Sequence, residues 1–146
     1  MFKNVVVGGT FNILHRGHEK LLKTAILIGR TVTVGLTSDE FANRFRASVV
    51  FPYSQRKEKL NEMLKKLIEE TGRTDVITGI VEISDNYGHS TLDPGIDAIV
   101  VSEETLLRAE EINAIRFKKK LNKLVIVVIP IITTNSGVPL SSETPV

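Results

Sequence analysis

Cysteine is absent from these 146 residues, which excludes disulfides, thiolate catalysis and Cys-ligated zinc. Histidine is scarce, at three, too few to suggest a protein-held metal cage. Any metal is therefore expected to arrive with a substrate. Neither sign of charge dominates: 19 Lys and Arg against 17 Asp and Glu leave a net charge of +2. That is not the broad cationic field with which a nucleic-acid binder meets a phosphate backbone, so no nucleic-acid partner is expected. No uninterrupted apolar run approaches the roughly 18 residues of a membrane helix. The opening Phe2-Lys3-Asn4-Val5 lacks the basic region, apolar stretch and cleavage site of a signal peptide. There is no fixed-period repeat and no low-complexity tract, which argues against a solenoid or a disordered tail. The expectation is a soluble, cytoplasmic protein with no membrane partner. With 42% hydrophobic and 25% charged residues, residues 1–146 read as one compact domain.

What is present alternates. Val5-Val6-Val7 before Gly8-Gly9 reads as a short buried strand ending in a tight turn. From His18 to Ile28, Leu21, Leu22, Ala25, Ile26 and Ile28 recur mostly at helical spacing, with Gly29 as a C-terminal stop. Thr31 to Leu36 is β-rich, and Ser38 is placed to cap a short helix toward Arg44. A surface loop over Arg46 to Tyr53, marked by Pro52, leads into a long helix from about Ser54 to Thr71, with Leu60, Met63, Leu64, Leu67 and Ile68 as its buried stripe. Val76 to Ile83 reads as a third strand, and the turn-rich run from Ser84 through Gly95 as a loop. Ala98 to Val101, entirely apolar, reads as a strand covered on both faces. Ser102 then caps a helix with Glu103 and Glu104 in its first turn and Lys118-Lys119-Lys120 in its last, each complementing the helix dipole. Leu124 to Ile129 is a fifth strand, stopped by Pro130.

Five strands alternating with helices imply an α/β, Rossmann-like, doubly wound parallel sheet of strand order 3-2-1-4-5. Such sheets bind ligands beyond the carboxyl ends of the strands, where the order reverses. Here that point lies between strands one and four, which directs attention to Gly8–Leu14 and Ser102–Thr105. His15-Arg16-Gly17-His18 falls where the first of these segments enters a helix, a position offering unpaired amides and a positive dipole end to an anion. Gly17 lets the backbone approach a ligand, and each imidazole can donate to a phosphoryl oxygen. A single histidine there would serve equally as a cap. Two with an intervening glycine after a strand are different, and the pair can act as an electrostatic clamp on phosphate.

Gly8-Gly9-Thr10-Phe11-Asn12-Ile13-Leu14-His15-Arg16-Gly17-His18 resembles the G-G-T-F-D-x-L-H-x-G-H signature of the cytidylyltransferase-like nucleotidyltransferases. The segments Gly35 to Phe41, Val100 to Thr105 and Ile112 to Arg116 are similar to the archaeal-type phosphopantetheine adenylyltransferases, so the resemblance covers nearly the whole chain. It implies transfer of AMP from ATP to 4'-phosphopantetheine, giving dephospho-coenzyme A and pyrophosphate, with Mg²⁺ delivered by ATP and no covalent enzyme intermediate. It further implies that His18 stabilises charge on the α-phosphate, that His15 supports the triphosphate and that Thr10 orients the attacking phosphate. The implied nucleotide site comprises Gly8, Gly9, Thr10, Phe11, His15, Gly17, His18, Ser102, Glu103, Thr105, Ser141 and Ser142. For the acceptor it implies Thr10, Arg56 from a P-x-x-x-R pattern, and either Arg44 or Arg46 in place of a lysine of relatives. The plain alternatives are a solvated helix-start arginine at Arg56 and an ordinary cap at Ser102. Asp85, Tyr87 and Gly88 resemble the family's D-x-Y-G, but are also ordinary turn residues and stay outside the main site. His89 reads as a loop histidine.

Two departures stand out. Asn12 replaces the signature's Asp, removing a negative charge. Leu140-Ser141-Ser142-Glu143-Thr144-Pro145-Val146 stands where relatives carry an I-S-S-T-x-I-R segment opening a helix, so the C-terminal segment reads as shortened, without that arginine. Two rival readings follow: a nucleotidyltransferase for another phosphorylated acceptor, such as a flavin, nicotinamide or glycerol phosphate, or a nucleotide-binding protein without catalysis.

Overall fold

The structure is a computed structural model that describes residues 1–44, 50–85, 87–88 and 90–130. Arg46, His89, Ser141, Ser142 and the rest of the C-terminal segment from residue 131 lie outside the described residues. The elements are β1 (Phe2–Gly9), α1 (Arg16–Ile28), β2 (Gly29–Thr37), α2 (Asp39–Arg44), α3 (Tyr53–Thr71), β3 (Ile77–Ile83), β4 (Ala98–Ser102), a 3₁₀ turn (Glu103–Thr105), α4 (Leu106–Lys118) and β5 (Val125–Ile129). The strands form one sheet in the order β3-β2-β1-β4-β5, parallel at every pairing. This is the expected order.

Alternation along the strands divides the core. Val5 and Val7 of β1, Val32, Val34 and Leu36 of β2, and Ala98 and Val100 of β4 pack against Leu22, Ala25 and Ile26 of α1 and Leu60, Leu64 and Leu67 of α3. Their neighbours Val6, Ile99 and Val101 point to the opposite face, where Ala109 and Ile112 of α4 cover them. Successive strand side chains alternate faces, so a run such as Val5-Val6-Val7 must be apolar throughout to serve both layers. In α3, Leu60, Leu64 and Leu67 are fully buried while Met63 and Ile68 pack at the margin. Among the described residues no helix is long and apolar enough to cross a membrane.

The details refine the sequence reading. Gly29 does follow α1, but with φ −115° and ψ 145° it is extended and already begins β2. Its requirement is steric: a Cβ there would lie 2.8 Å from Cγ2 of Val5 and 3.2 Å from the Ala25 carbonyl oxygen. As the C-cap of α1, Gly29 donates its amide to the Ala25 carbonyl, and Arg73 satisfies the next acceptors, its guanidinium donating to the carbonyls of Ile26, Leu27 and Gly29. Ser38 caps α2 as expected, its Oγ accepting from the Phe41 amide at 3.2 Å. The helix after Ser102 opens as a 3₁₀ turn in which the Thr105 hydroxyl accepts from the Ser102 amide at 3.2 Å. Of the lysine run only Lys118 is helical. Lys119 is the cap and Lys120 takes φ 61°.

Candidate active site

The carboxyl ends of β1 and β4 open into a cavity of about 790 Å³. Its wall brings together most of the residues that the sequence singles out: Gly8, Gly9, Thr10, Phe11, His15, Gly17 and His18 from the first segment, Ser102 and Thr105 from the second. Glu103 does not line it, whereas Glu104 does.

His15 is the N-cap of α1, and its Nδ1 accepts from the Gly17 amide at 3.0 Å. An accepting Nδ1 places the proton of the neutral ring on Nε2, where it is a donor. The His18 ring stacks on His15 with centroids 4.0 Å apart and planes 15° apart. Phe11 also meets the His18 ring, tilted by 55° with centroids 4.9 Å apart. Phe11 is 2% exposed and adopts φ 47°, an unusual conformation for a non-glycine residue that turns the loop back over the imidazoles. Gly9 makes room for it, because a Cβ at that position would sit 3.0 Å from the Phe11 ring. The two histidines are thus held in one orientation at the positive end of a 13-residue helix.

Thr10 is fixed by a relay. Arg56 Nη1 donates to Thr37 Oγ1 at 3.3 Å, and Thr37 Oγ1 donates to Thr10 Oγ1 at 3.0 Å. Accepting that bond leaves the Thr10 hydroxyl proton to be donated elsewhere. Arg56 itself does not line the cavity. Its side chain is wholly buried, so it is not a solvated helix-start arginine. Its guanidinium donates to the carbonyls of Phe51 at 2.7 Å and Thr10 at 3.0 Å, and to Asp39 Oδ1 at 2.9 Å. This planar fork ties the Thr10 loop, the start of α2 and the approach to α3 together. Arg44 lies away from the cavity wall, 57% exposed and 3.4 Å from Glu40.

Asn12 is buried, and its Oδ1 accepts from the Phe51 amide at 2.8 Å. It lines a separate shallow cleft with Ile13, Leu14 and Phe51. The position uses an acceptor to fasten the loop, a task the amide oxygen of Asn12 performs without a charge.

Asp85, Tyr87 and Gly88, ordinary turn residues by sequence, line the cavity. The Asp85 carboxylate accepts from the amides of Tyr87 and Gly88. The Tyr87 hydroxyl donates to Glu111 Oε2 at 3.0 Å, a bond that raises the phenol's pKa above its ordinary value. Arg116, fully buried, fastens the same connection to α4: it donates to the carbonyls of Ser90 at 2.8 Å and Asp93 at 2.7 Å. Burial lowers its pKa, opposed by the nearby Asp93. The D-x-Y-G spacing was the available sequence signal. Only the fold shows that β3 delivers that turn to the same end of the sheet as the histidines. Among the described residues no group of three His, Cys, Asp or Glu could hold a metal ion.

A family model described as cytidylyltransferase-like matches residues 6–144. A phosphopantetheine adenylyltransferase of Pyrobaculum aerophilum is 42% identical over 97% of this chain and 88% of its own length. Another, of Methanopyrus kandleri, is 40% identical over 97% of this chain and 87% of its own. Among solved structures, a protein with unknown function from Archaeoglobus fulgidus superposes with a TM-score of 0.73 at 35% identity, over 86% of this chain and 88% of that one. The chain belongs to the cytidylyltransferase-like nucleotidyltransferase family, alongside archaeal phosphopantetheine adenylyltransferases.

Proposed function

We propose that this protein transfers AMP from Mg²⁺-bound ATP to 4'-phosphopantetheine, a step of coenzyme A synthesis in the cytoplasm. An oxygen of the acceptor phosphate attacks the α-phosphorus. The bond from that phosphorus to the α–β bridging oxygen breaks, and pyrophosphate leaves with its electron pair. Nucleotidyl transfer of this kind depends on alignment and charge stabilisation and needs no enzyme nucleophile. In this reading the α1 amides and His15 hold the triphosphate, His18 donates to the α-phosphate as charge develops, and the Thr10 hydroxyl orients the attacking phosphate. Ser102 and Thr105 meet the nucleoside. Mg²⁺ enters as part of the substrate.

The observation that carries this reading is convergence: the stacked histidines at the α1 start, the Thr10 hydroxyl and the Ser102 turn share one cavity at the strand switch point. The names of the relatives, about 40% identical, select the acceptor. Calorimetry with ATP and CTP, paired with an acceptor panel of phosphopantetheine, nicotinamide mononucleotide, flavin mononucleotide and glycerol phosphate, tests it. The expected result is preference for ATP and turnover with phosphopantetheine. Equal affinity for CTP, or turnover confined to another acceptor, would overturn the assignment.

A further inference from the structure

A site for two phosphorylated substrates must balance their charge, and a phosphomonoester alone carries about −1.5 to −2 at pH 7. The wall described above holds the carboxylates Asp85, Asp93 and Glu104. Arg108 is the single lysine or arginine among the described residues that line it. Arg56, on which the family pattern places a phosphate contact, lies outside the wall and is committed to acceptors of Phe51, Thr10 and Asp39.

The position of Arg108 is unfavourable by local rules. It sits in the first turn of α4, where the helix dipole disfavours a cation. Glu104 and Glu111 flank it at helical spacing, yet no described residue pairs with Arg108 by hydrogen bond or ion pair. The Glu111 carboxylate accepts from Tyr87 instead. An exposed arginine against the dipole, on a cavity wall and without a hydrogen bond or ion pair among the described residues, breaks a local preference, and such breaks mark functional positions.

We propose that Arg108 binds a substrate phosphate, supplying a guanidinium from α4 to the cavity whose wall also holds the α1 histidines. This rests on the nucleotidyl-transfer reading above for the identity of its ligands. Guanidinium suits the task because its planar donors engage two phosphoryl oxygens at once. The phosphate comes either from the nucleotide or from the acceptor.

The test compares wild-type protein, Arg108→Ala and Arg108→Lys by calorimetry at fixed ionic strength, with four probes: ATP, adenosine, phosphopantetheine and pantetheine. Loss of one charged hydrogen-bonding group corresponds to a fall in affinity of about 10- to 100-fold. The expected result is that loss for ATP or for phosphopantetheine, whichever phosphate Arg108 meets, with partial recovery in Arg108→Lys. Adenosine and pantetheine should bind all three proteins alike. Melting temperatures of the variants should not fall below that of wild type, since Arg108 is exposed and sits against the helix dipole. If both phosphorylated probes bind Arg108→Ala within twofold of wild type, the proposal fails, and pyrophosphate release by wild-type protein still leaves the reaction assigned. If wild-type protein releases no pyrophosphate yet Arg108→Ala loses ATP affinity, the reaction assignment fails and the phosphate contact stands.

Discussion

Replacing Arg56 by alanine should unfold the site before it touches the chemistry. The guanidinium is wholly buried and donates to Phe51 O, Thr10 O, Thr37 Oγ1 and Asp39 Oδ1. Asp39 is 53% exposed, so that ion pair contributes at most about 1 kcal/mol. The two carbonyls and the Thr37 hydroxyl matter more. Each loses a charge-assisted donor, and each acceptor left unsatisfied in the interior costs about 1 kcal/mol or more. Arg56→Ala should therefore destabilise the fold by about 3–5 kcal/mol, as breaking a buried charged network does. In a chain of this length that lowers the melting temperature by roughly 10 °C or more. Arg56→Met, which keeps the stem's volume, isolates the hydrogen-bond part, and Arg56→Lys should not rescue it because one ammonium cannot span four acceptors. Urea unfolding of the three variants beside wild type is the assay. A loss below about 1 kcal/mol in Arg56→Met would refute the claim that this fork holds the Thr10 loop.

Asn12→Ala removes the acceptor of the Phe51 amide and should cost about 1 kcal/mol in urea unfolding, whereas Asn12→Asp keeps an acceptor and should bind ATP within about threefold of wild type; a tenfold loss in Asn12→Asp would show that the amide matters for more than fastening the loop. Tyr87→Phe removes the bond to Glu111. Because that bond raises the folded-state pKa of Tyr87 above 10, its stabilisation is present in full below pH 10 and is lost as pH rises through the raised value. Melting curves of wild type and Tyr87→Phe should therefore differ at pH 8 and converge at more alkaline pH. A difference that persists there would contradict the assigned partner.

The strand order, the switch point and the helix start that brings both histidines to the cavity were legible in sequence because each rests on a local pattern: apolar strands, glycine turns, helical spacing. Ser38 capped its helix as its type suggests. What local pattern does not show is tertiary. Gly29 does end α1 as expected, but the contact with Val5 that requires glycine there comes only with the sheet. Arg56 sits at a helix start that should be wet, yet α2 and the Thr10 loop fold over it. Tyr87 reads as a turn residue until α4 supplies Glu111 and the sheet carries the turn to the cavity. Arg108 carries no sequence signal, since an arginine among glutamates on a helix normally reads as a solvated face.

The proposed transfer step depends most on the imidazole of His18, which stacks on His15 and meets Phe11 at a tilt at the start of α1. The direct measurement is kcat for pyrophosphate release from Mg²⁺-bound ATP and phosphopantetheine by wild-type protein and His18→Ala, with urea unfolding confirming that the variant is folded. Loss of one organised donor to the developing charge predicts a fall in kcat of about 10²- to 10³-fold, with the KM for ATP changed far less. A folded His18→Ala that turns over within threefold of wild type would contradict the account.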